Sequence, residues 1–303
     1  MTNKLSPEIK EWVRSVVGSG TRLLTCRRLP GSTSATLYRL KLLRGGRLLT
    51  CVLRLFTLSE WLAIEPDIPE HEAAALEKVS AAGLPVPHLL GVDPRGAACG
   101  LPALLMTSLP GNVDLLPENI ESWLRQQAEF LLRLHAIDPG DFAWDYRPYY
   151  RPADLSVPGW SSKPQLWKKA IGIVNSPSPT TPMRFIHRDY HPVNLLWRRG
   201  RLSGVVDWVN SCRGPAGVDV AWARHNLAAM YGPPMADRWL EVCKDVMGST
   251  WDYDPFWDIQ TLLEVLLGEP GVYEPWLDFG LTHLTEDLVT KRIEDYLASL
   301  LKT

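Results

Sequence analysis

The chain carries its densest group of reactive side chains in the segment HRDYHPVNLLW, residues 187–197. One interpretation is a metal site, because His187, Asp189 and His191 are residue types that bind zinc. Pro192 stiffens that loop against wrapping around an ion, and no further cluster supplies a convincing fourth ligand. The other interpretations are a phosphoryl-transfer loop and a polar turn that caps the apolar strand that follows.

The spacing within this segment favours phosphoryl transfer. That reaction needs a carboxylate to orient the attacking hydroxyl and accept its proton. It also needs an amide oxygen and a second carboxylate to hold Mg²⁺ against the nucleotide phosphates. Asp189 and Asn194 stand in the spacing of an H-x-D-x-x-x-x-N catalytic loop, and Asp207 ends the next strand-like run, GVVDW. We expect a hairpin that places a strand at 184–187 beside a strand at 202–207, so that these three groups converge.

The first 110 residues are predicted to form a small lobe rich in strands. The runs TRLLTCRRLP, TLYRLKLL and LLTCVLRLF are separated by GSTSA and RGGR, as in an antiparallel meander. A helix over IPEHEAAALEKVSAAG and two strands, in LPVPHLLGVD and GLPALLMTSLPGN, complete this lobe. An N-terminal helix should begin after the N-cap Ser6 and end at Gly18. From residue 111 the pattern is mainly helical, so we expect two domains, at 1–110 and 111–303.

Composition argues against some classes of partner. The 303 residues carry a net charge of −2, which does not suit a protein that neutralises a nucleic-acid backbone. The five cysteines are scattered and form no CxxC pair, a pattern that favours a reducing compartment. No apolar run reaches membrane-spanning length. We therefore expect a cytoplasmic protein with no nucleic-acid or membrane partner.

Three segments, HRDYHPVNLLW, GVVDW and RGPAGVDVAW, together resemble the signature of the aminoglycoside phosphotransferase and choline kinase-like family. The resemblance extends from about residue 21 to the last helices. It implies an α+β, protein-kinase-like fold of two lobes. The small N-terminal lobe would hold an antiparallel sheet and bind the nucleotide, and the larger, mainly helical C-terminal lobe would bind the acceptor. The resemblance also implies the use of ATP or GTP together with Mg²⁺.

The resemblance implies a role for each polar residue of the C-terminal motifs. Asp189 is similar to the catalytic base of the family, and Asn194 and Asp207 are similar to its Mg²⁺ ligands. His187 resembles the histidine that braces the catalytic loop. Asp219, in GPAGVDVA, resembles the helix aspartate that accepts hydrogen bonds from the backbone of that loop.

The same resemblance implies a nucleotide site in the N-terminal lobe. The phosphate loop would be LPGSTSATLYRL, and Arg54 in CVLRLF stands where such kinases usually have lysine. Arginine still binds phosphate oxygens, as a bidentate donor. Glu72 is the helix glutamate expected to pair with Arg54, and Glu70 is its rival for that role. The expected nucleotide-binding residues are Gly31, Ser32, Thr33, Ser34, Arg54, Glu72 and, at the hinge, Met106, Thr107 and Ser108.

The acceptor is expected to be a small molecule rather than a protein. Protein kinases carry a long segment between the metal-binding aspartate and an Ala-Pro-Glu motif, whereas here the helix with Asp219 follows Asp207 almost at once. Residues 251–303 contain 11 acidic and 3 basic side chains. Within them WDYDPFWDIQ alternates acids with aromatic rings, which attract ammonium groups; the alternative is that these rings belong to the core. The candidate acceptor contacts are Arg224, His225, Asp254, Trp257 and Asp258.

The expected function is an ATP- and Mg²⁺-dependent transfer of a phosphoryl group to a hydroxyl of a small, cationic molecule, of the aminoglycoside or macrolide type. A metabolic kinase acting on choline, an amino sugar or a similar compound would share every motif, because the fold and the loop do not specify the acceptor. A nucleotide-binding pseudokinase is a further alternative. The sequence leaves open the acceptor, the choice between ATP and GTP, the oligomeric state, and whether the role is antibiotic resistance or metabolism.

Overall fold

A computed structural model describes residues 5–30, 35–248, 251 and 253–302 of the chain. The chain separates into two units. Unit 1 comprises residues 1–111 with 203–210, and unit 2 comprises residues 112–202 with 211–303. The segment 203–210, which carries Asp207, therefore belongs to unit 1, whereas we expected it in the C-terminal domain.

Unit 1 is built on a five-stranded sheet in the order β1-β2-β3-β5-β4, in which every neighbouring pair is antiparallel. Its elements are α1 Pro7–Val17, β1 Arg22–Arg28, β2 Thr36–Arg44, β3 Arg47–Leu55, α2 Ser59–Ile64, α3 Ile68–Ala81, β4 Leu89–Asp93 and β5 Ala103–Thr107. The predicted meander and the two further strands are thus present. The central strand β3 carries Arg54, and its last three residues, Leu53, Arg54 and Leu55, are buried.

The core of unit 1 is formed by one face of the sheet together with helix α1. Leu40 and Leu42 of β2 are two residues apart and therefore point to the same face of the sheet, where both are fully buried. Helix α1 packs Ile9 and Trp12 into the same cluster. As predicted, this helix begins at the N-cap Ser6, whose Oγ accepts a hydrogen bond from the backbone N–H of Ile9 at 3.2 Å.

Unit 2 is mainly helical. Its elements are α4 Ile120–Leu134, α5 Pro164–Val174, β6 Met183–Ile186, β7 Leu195–Arg198, β8 Arg201–Val205, β9 Cys212–Pro215, α6 Gly217–Tyr231, α7 Pro233–Met247, α8 Phe256–Leu262, α9 Glu274–Asp278 and α10 Glu286–Leu300. Strand β8 crosses the boundary between the units, because Arg201 and Leu202 belong to unit 2 and residues 203–205 belong to unit 1. In the described part of the chain, no helix is long and apolar enough to cross a membrane.

The predicted pairing of strand 184–187 with strand 202–207 is wrong. Strand β6 pairs with β9, from Met183 opposite Pro215 to Ile186 opposite Cys212, whereas β8 pairs with β7. The turn RRGR explains the difference, because its two central residues, 199 and 200, both have positive φ, 54° and 69°. Such a turn folds β8 directly back on β7, so the partner of β6 comes from the next segment of the chain.

Helix α6 is the centre of unit 2. It packs against α7, α8 and α10, and apolar residues on all sides of it are buried, as in a helix surrounded by protein. Its first residue, Gly217, lies against the indole of the buried Trp257, and a Cβ added at Gly217 would be 2.4 Å from Cδ1 of Trp257. A side chain larger than hydrogen cannot be accommodated there unless the core moves.

We predict that Gly217→Ala lowers the free energy of unfolding by about 1–3 kcal/mol, because the methyl group overpacks a well-filled site. Gly172→Ala is the matched control. Gly172 lies within α5 and nothing is within 4 Å of a Cβ added there, so alanine should stabilise by about 0.5–1 kcal/mol through its better helix propensity. Urea denaturation of both variants measures the effects. Equal free-energy changes in the two variants would contradict the close packing at Gly217.

Candidate active site

The loop at residues 187–194 is held at its backbone by one carboxylate. Asp219, in the first turn of α6, is fully buried. Its Oδ2 accepts a hydrogen bond from the backbone N–H of His187 at 2.9 Å, and its Oδ1 accepts one from that of Arg188 at 2.6 Å. Nε2 of His135 lies 2.9 Å from Oδ2. These hydrogen bonds fix the backbone at the start of the loop. They hold it even though Arg188 has a φ of 67°, in a region that non-glycine residues rarely occupy.

The carboxylate of Asp189 is contacted at both oxygens. The indole Nε1–H of Trp222 donates to Oδ1 at 2.8 Å, and the amide Nδ2 of Asn194 donates to Oδ2 at 3.1 Å. Asn194 also donates to the backbone carbonyl of Asp189 at 2.9 Å, so its amide group is oriented by two contacts. Nε2 of His191 lies 3.6 Å from Oδ1. The side chain of Asp189 nevertheless keeps 26% of its surface exposed, which leaves room for a further hydrogen-bond donor.

Aromatic packing anchors the same loop in the interior of unit 2. His187 is fully buried, and its ring meets the ring of Tyr190 edge to face at 6.0 Å. Tyr190 stacks on Phe130 of α4 at 5.9 Å and donates its hydroxyl to the carbonyl of Gln127 at 2.9 Å. The loop therefore cannot shift without breaking contacts in the core. Among the described residues, no three His, Cys, Asp or Glu side chains are grouped so that they could hold a metal ion.

In unit 1 a buried arginine lies between two carboxylates. Nη2 of Arg54 is 2.8 Å from Oδ1 of Asp207, and its Nη1 is 3.2 Å from Oε2 of Glu72. Of the two glutamates considered for this role, the partner is Glu72. Burial disfavours the charge on Arg54, but Asp207 and Glu72 outweigh it and raise the pKa of the guanidinium. Burial raises the pKa of Glu72 to about 7, with Arg54 acting against the rise and Asp207 adding to it.

The other residues expected at a nucleotide are only partly described. Gly31, Ser32, Thr33 and Ser34 all lie outside the described residues. At the expected hinge, Met106 and Thr107 end strand β5, which lies between β3 and β4 in the sheet. The backbone N–H of Thr107 donates to the carbonyl of His88 at 2.9 Å, and that of Ser108 donates to the carbonyl of Thr50 at 3.1 Å. These two donors are therefore already occupied within unit 1.

Three of the five candidate acceptor contacts are buried. Nη1 of Arg224 is 2.6 Å from Oδ2 of Asp258, whose other oxygen accepts hydrogen bonds from the hydroxyls of Tyr253 and Tyr296 at 2.7 and 2.9 Å. Asp258 is fully buried, and Arg224 and Trp257 are 6% and 4% exposed. Because protein groups satisfy the charges and Trp257 packs in the core, the structure does not support contact of Arg224, Trp257 or Asp258 with an acceptor.

The remaining two candidates keep partial exposure. Asp254 accepts a hydrogen bond from the backbone N–H of Phe256 at 2.8 Å, at the start of α8. His225 is half-buried, and its ring lies 5.5 Å from that of Trp222. Burial lowers the pKa of His225 to about 4, against which a backbone hydrogen bond with Thr261 acts. Its imidazole is therefore neutral at pH 7.

A cluster that the sequence did not point to lies beside the loop. The guanidinium of Arg188 lies over the rings of Tyr149 and Tyr146, 3.8 and 5.4 Å from their centroids. Burial raises the pKa of Glu264 to about 7; Arg188 and a backbone hydrogen bond with Tyr149 act against the rise, and Asp189 adds to it. Glu264 therefore brings a second carboxyl group into the electrostatic range of Asp189. It is 75 residues from Asp189 in sequence, so no local pattern reveals it.

The chain matches the phosphotransferase enzyme family over residues 25–248. It is 27% identical over 164 residues to homoserine kinases of Pseudomonas aeruginosa, including those of strains PAO1 and LESB58. That alignment covers 48% of this chain and 47% of each relative, so the chain spans about half the length of the curated relatives it matches.

Solved structures of phosphotransferases share the fold over nearly the whole chain. A putative aminoglycoside phosphotransferase from Ralstonia eutropha JMP134 has a TM-score of 0.64 at 17% identity, covering 96% of this chain and 98% of the other. A mutant of aminoglycoside phosphotransferase APH(4)-Ia, in complex with ADP and hygromycin B, has a TM-score of 0.63 at 16% identity, covering 96% and 97%. Macrolide 2'-phosphotransferase MphH from Brachybacterium faecium has a TM-score of 0.58 at 15% identity, covering 97% and 98%. The expected α+β, kinase-like fold class is confirmed.

We predict that His225 makes the stability of the protein depend on pH. Its pKa is about 4 in the folded protein and near the ordinary 6.5 when unfolded, so between these values the unfolded chain binds a proton that the folded chain does not. The free energy of unfolding should therefore fall as the pH falls from 6.5 to 4. His225→Gln should reduce that slope in urea denaturation series. Parallel curves for the two proteins would contradict a neutral, buried imidazole.

Proposed function

Because this chain belongs to the phosphotransferase enzyme family, we propose that it transfers the γ-phosphoryl group of ATP, with Mg²⁺, to a hydroxyl of a small amine-bearing molecule. The arrangement around Asp189 is the observation that supports this most. Its carboxylate is held at both oxygens by Trp222 and Asn194 and is still partly exposed. A base for phosphoryl transfer needs that combination of fixed direction and access.

Asp189 acts as the base in this proposal. It accepts a hydrogen bond from the acceptor hydroxyl, which aligns the oxygen with the γ-phosphorus. It takes the proton as the new O–P bond forms and the bond from the γ-phosphorus to the β,γ-bridging oxygen breaks, so that ADP leaves. Asp219 supports the step without contacting the acceptor. Its hydrogen bonds fix the backbone of the two residues that precede Asp189, and this positions Asp189 itself. His187 supports it through burial beside Tyr190.

Arg54, Glu72 and Asp207 are proposed to serve the nucleotide. Arg54 would bind phosphate oxygens, and its contact with Glu72 at 3.2 Å restrains the guanidinium. Asn194 offers an amide oxygen and Asp207 a carboxylate, the hard oxygen donors that Mg²⁺ prefers. The nucleotide complexes of APH(4)-Ia agree with such a role. When bound, Mg²⁺ would offset negative charge on the phosphoryl group during transfer.

An amine-bearing acceptor is supported by the carboxyl groups near the loop. The pKa of Glu264 is raised mainly by burial and further by Asp189, and a cationic group near these two residues would favour their charged forms. The structures that share the fold include an aminoglycoside phosphotransferase in complex with hygromycin B and a macrolide 2'-phosphotransferase, so an aminoglycoside- or macrolide-type acceptor is our first candidate. The second is a metabolic hydroxyl compound that carries an amine, because the curated relatives are homoserine kinases.

We predict that the protein releases ADP from Mg-ATP in the presence of one class of acceptor. The panel would contain aminoglycosides, macrolides, L-homoserine, choline and amino sugars. Asp189→Asn should lower this turnover at least about 100-fold, since general-base catalysis contributes roughly 10²–10⁴-fold. It should leave Mg-ATP binding intact, measured by thermal shift.

The control is Arg198→Gln, which changes a charge on the exposed end of β7, outside the proposed machinery. Turnover retained by Asp189→Asn would refute the proposed base. Thermal shift by Mg-ATP without turnover on any acceptor would favour the pseudokinase alternative, and no shift at all would refute the nucleotide site itself.

A further inference from the structure

Helix α6 contacts the proposed base through two side chains that are one turn apart. Asp219 accepts the backbone N–H groups of the loop, and three residues later Trp222 donates its indole N–H to Oδ1 of Asp189 at 2.8 Å. Residues i and i+3 of a helix lie on the same face. One rigid helix therefore determines both the backbone of the loop and the side chain of Asp189.

The indole N–H defines the rotation of the carboxylate. Asn194 holds Oδ2 at 3.1 Å and Trp222 holds Oδ1 at 2.8 Å, so the plane of the carboxylate is determined by two donors on opposite sides. A carboxylate has about four acceptor positions, and the exposed part of Asp189 provides one for a hydroxyl. Without Trp222, Oδ1 would keep only the longer 3.6 Å contact with Nε2 of His191, and rotation about χ2, a broad torsion with little intrinsic preference, would be less restrained.

Trp222 is itself well placed and chemically inert. Its ring lies 5.5 Å from the ring of His225 at 53°, and its backbone carbonyl accepts a hydrogen bond from the side chain of Asn226 at 3.0 Å. An indole is a donor only, so it cannot take the proton that Asp189 receives. The group orients the base and does not compete with it.

We propose that Trp222 is a positioning residue for phosphoryl transfer, which holds the carboxylate of Asp189 in the orientation that accepts the proton of the acceptor hydroxyl. This rests on the proposed function, in which Asp189 is the base. The effect belongs to the chemical step, because Trp222 acts on the carboxylate and not on the nucleotide.

The test compares Trp222→Phe with the wild type in single-turnover and steady-state assays. Phenylalanine keeps an aromatic ring beside His225 but has no N–H. We expect kcat to fall about 10- to 100-fold, the range for a misplaced catalytic group. The acceptor KM and the dissociation constant of Mg-ATP should stay within about twofold of the wild type. Trp222→Gln, which restores an uncharged donor, should recover part of kcat.

Trp61→Phe is the matched control. Trp61 also donates its indole N–H to a carboxylate, Oε2 of Glu65 at 3.0 Å, but lies in α2 of unit 1. This variant should keep the kcat of the wild type, which shows that loss of an indole donor is not harmful in itself.

Three results would overturn the proposal. The first is an unchanged kcat in Trp222→Phe. The second is a fall in kcat accompanied by a raised KM and a lowered melting temperature, which indicates a packing role. The third is an equal loss in folded Trp222→Phe and Trp222→Gln. Failure of the proposed function is separate, because turnover retained by Asp189→Asn removes the base itself, whatever Trp222 does.

Discussion

The catalytic loop depends on one buried carboxylate. Asp219 is fully buried and accepts two backbone N–H groups of the loop, with His135 at 2.9 Å as a third partner. A carboxylate without partners at that depth would be very unfavourable, and the two loop N–H groups would lose their acceptors as well. The conformation of the loop and the position of α6 therefore specify each other. The first turn of a helix is also where the helix dipole favours a negative charge.

Backbone strain accompanies this constraint. In the described part of the chain three non-glycine residues have positive φ, and two of them, Arg188 and Asp207, lie next to or within the proposed machinery. Such a conformation costs roughly 1–2 kcal/mol per residue. At Arg188 the bond to Asp219 and the rings of Tyr146 and Tyr149 hold the conformation. At Asp207 the contact with Arg54 does so. In both cases local interactions stabilise an unfavourable backbone conformation, which orients the carboxylate of Asp207 itself and, at Arg188, that of the next residue, Asp189.

Sequence reasoning succeeded where the residues concerned lie close together along the chain. Sequence reasoning placed Asp189 and Asn194 in one polar loop, where the two side chains make contact, and the strand-like runs separated by GSTSA and RGGR predicted the antiparallel strands of unit 1. It failed for β6, because strand pairing is decided by turn geometry and by segments further along the chain. Acids and aromatics in the run from Trp251 suggested a ligand surface, yet Trp257 and Asp258 are buried, because an alternation of residue types does not reveal which side chains the fold covers.

Apart from the pairs that the family resemblance implied, contacts between residues distant in sequence were beyond such reasoning. Trp222 and Asp189 are separated by 33 residues, and only the packing of α6 against the loop makes the indole a partner of the base. The ion pair of Arg224 with Asp258 has the same character, since each residue alone resembled a ligand contact. An exposed and a buried charge are identical in sequence, and they differ only in the partners that the fold supplies.

The replacement of lysine by arginine at position 54 has a structural reason. The planar guanidinium presents several donors, so Nη1 and Nη2 of Arg54 meet Glu72 and Asp207 at the same time. An ammonium group is a point charge and cannot span two carboxylates with the same geometry. The cluster nevertheless contains one cation and two acids, and the pKa of Glu72 is raised to about 7, mainly by burial and further by Asp207. In the proposed reaction, a divalent cation held by Asp207 would supply positive charge that offsets the second acid of this cluster.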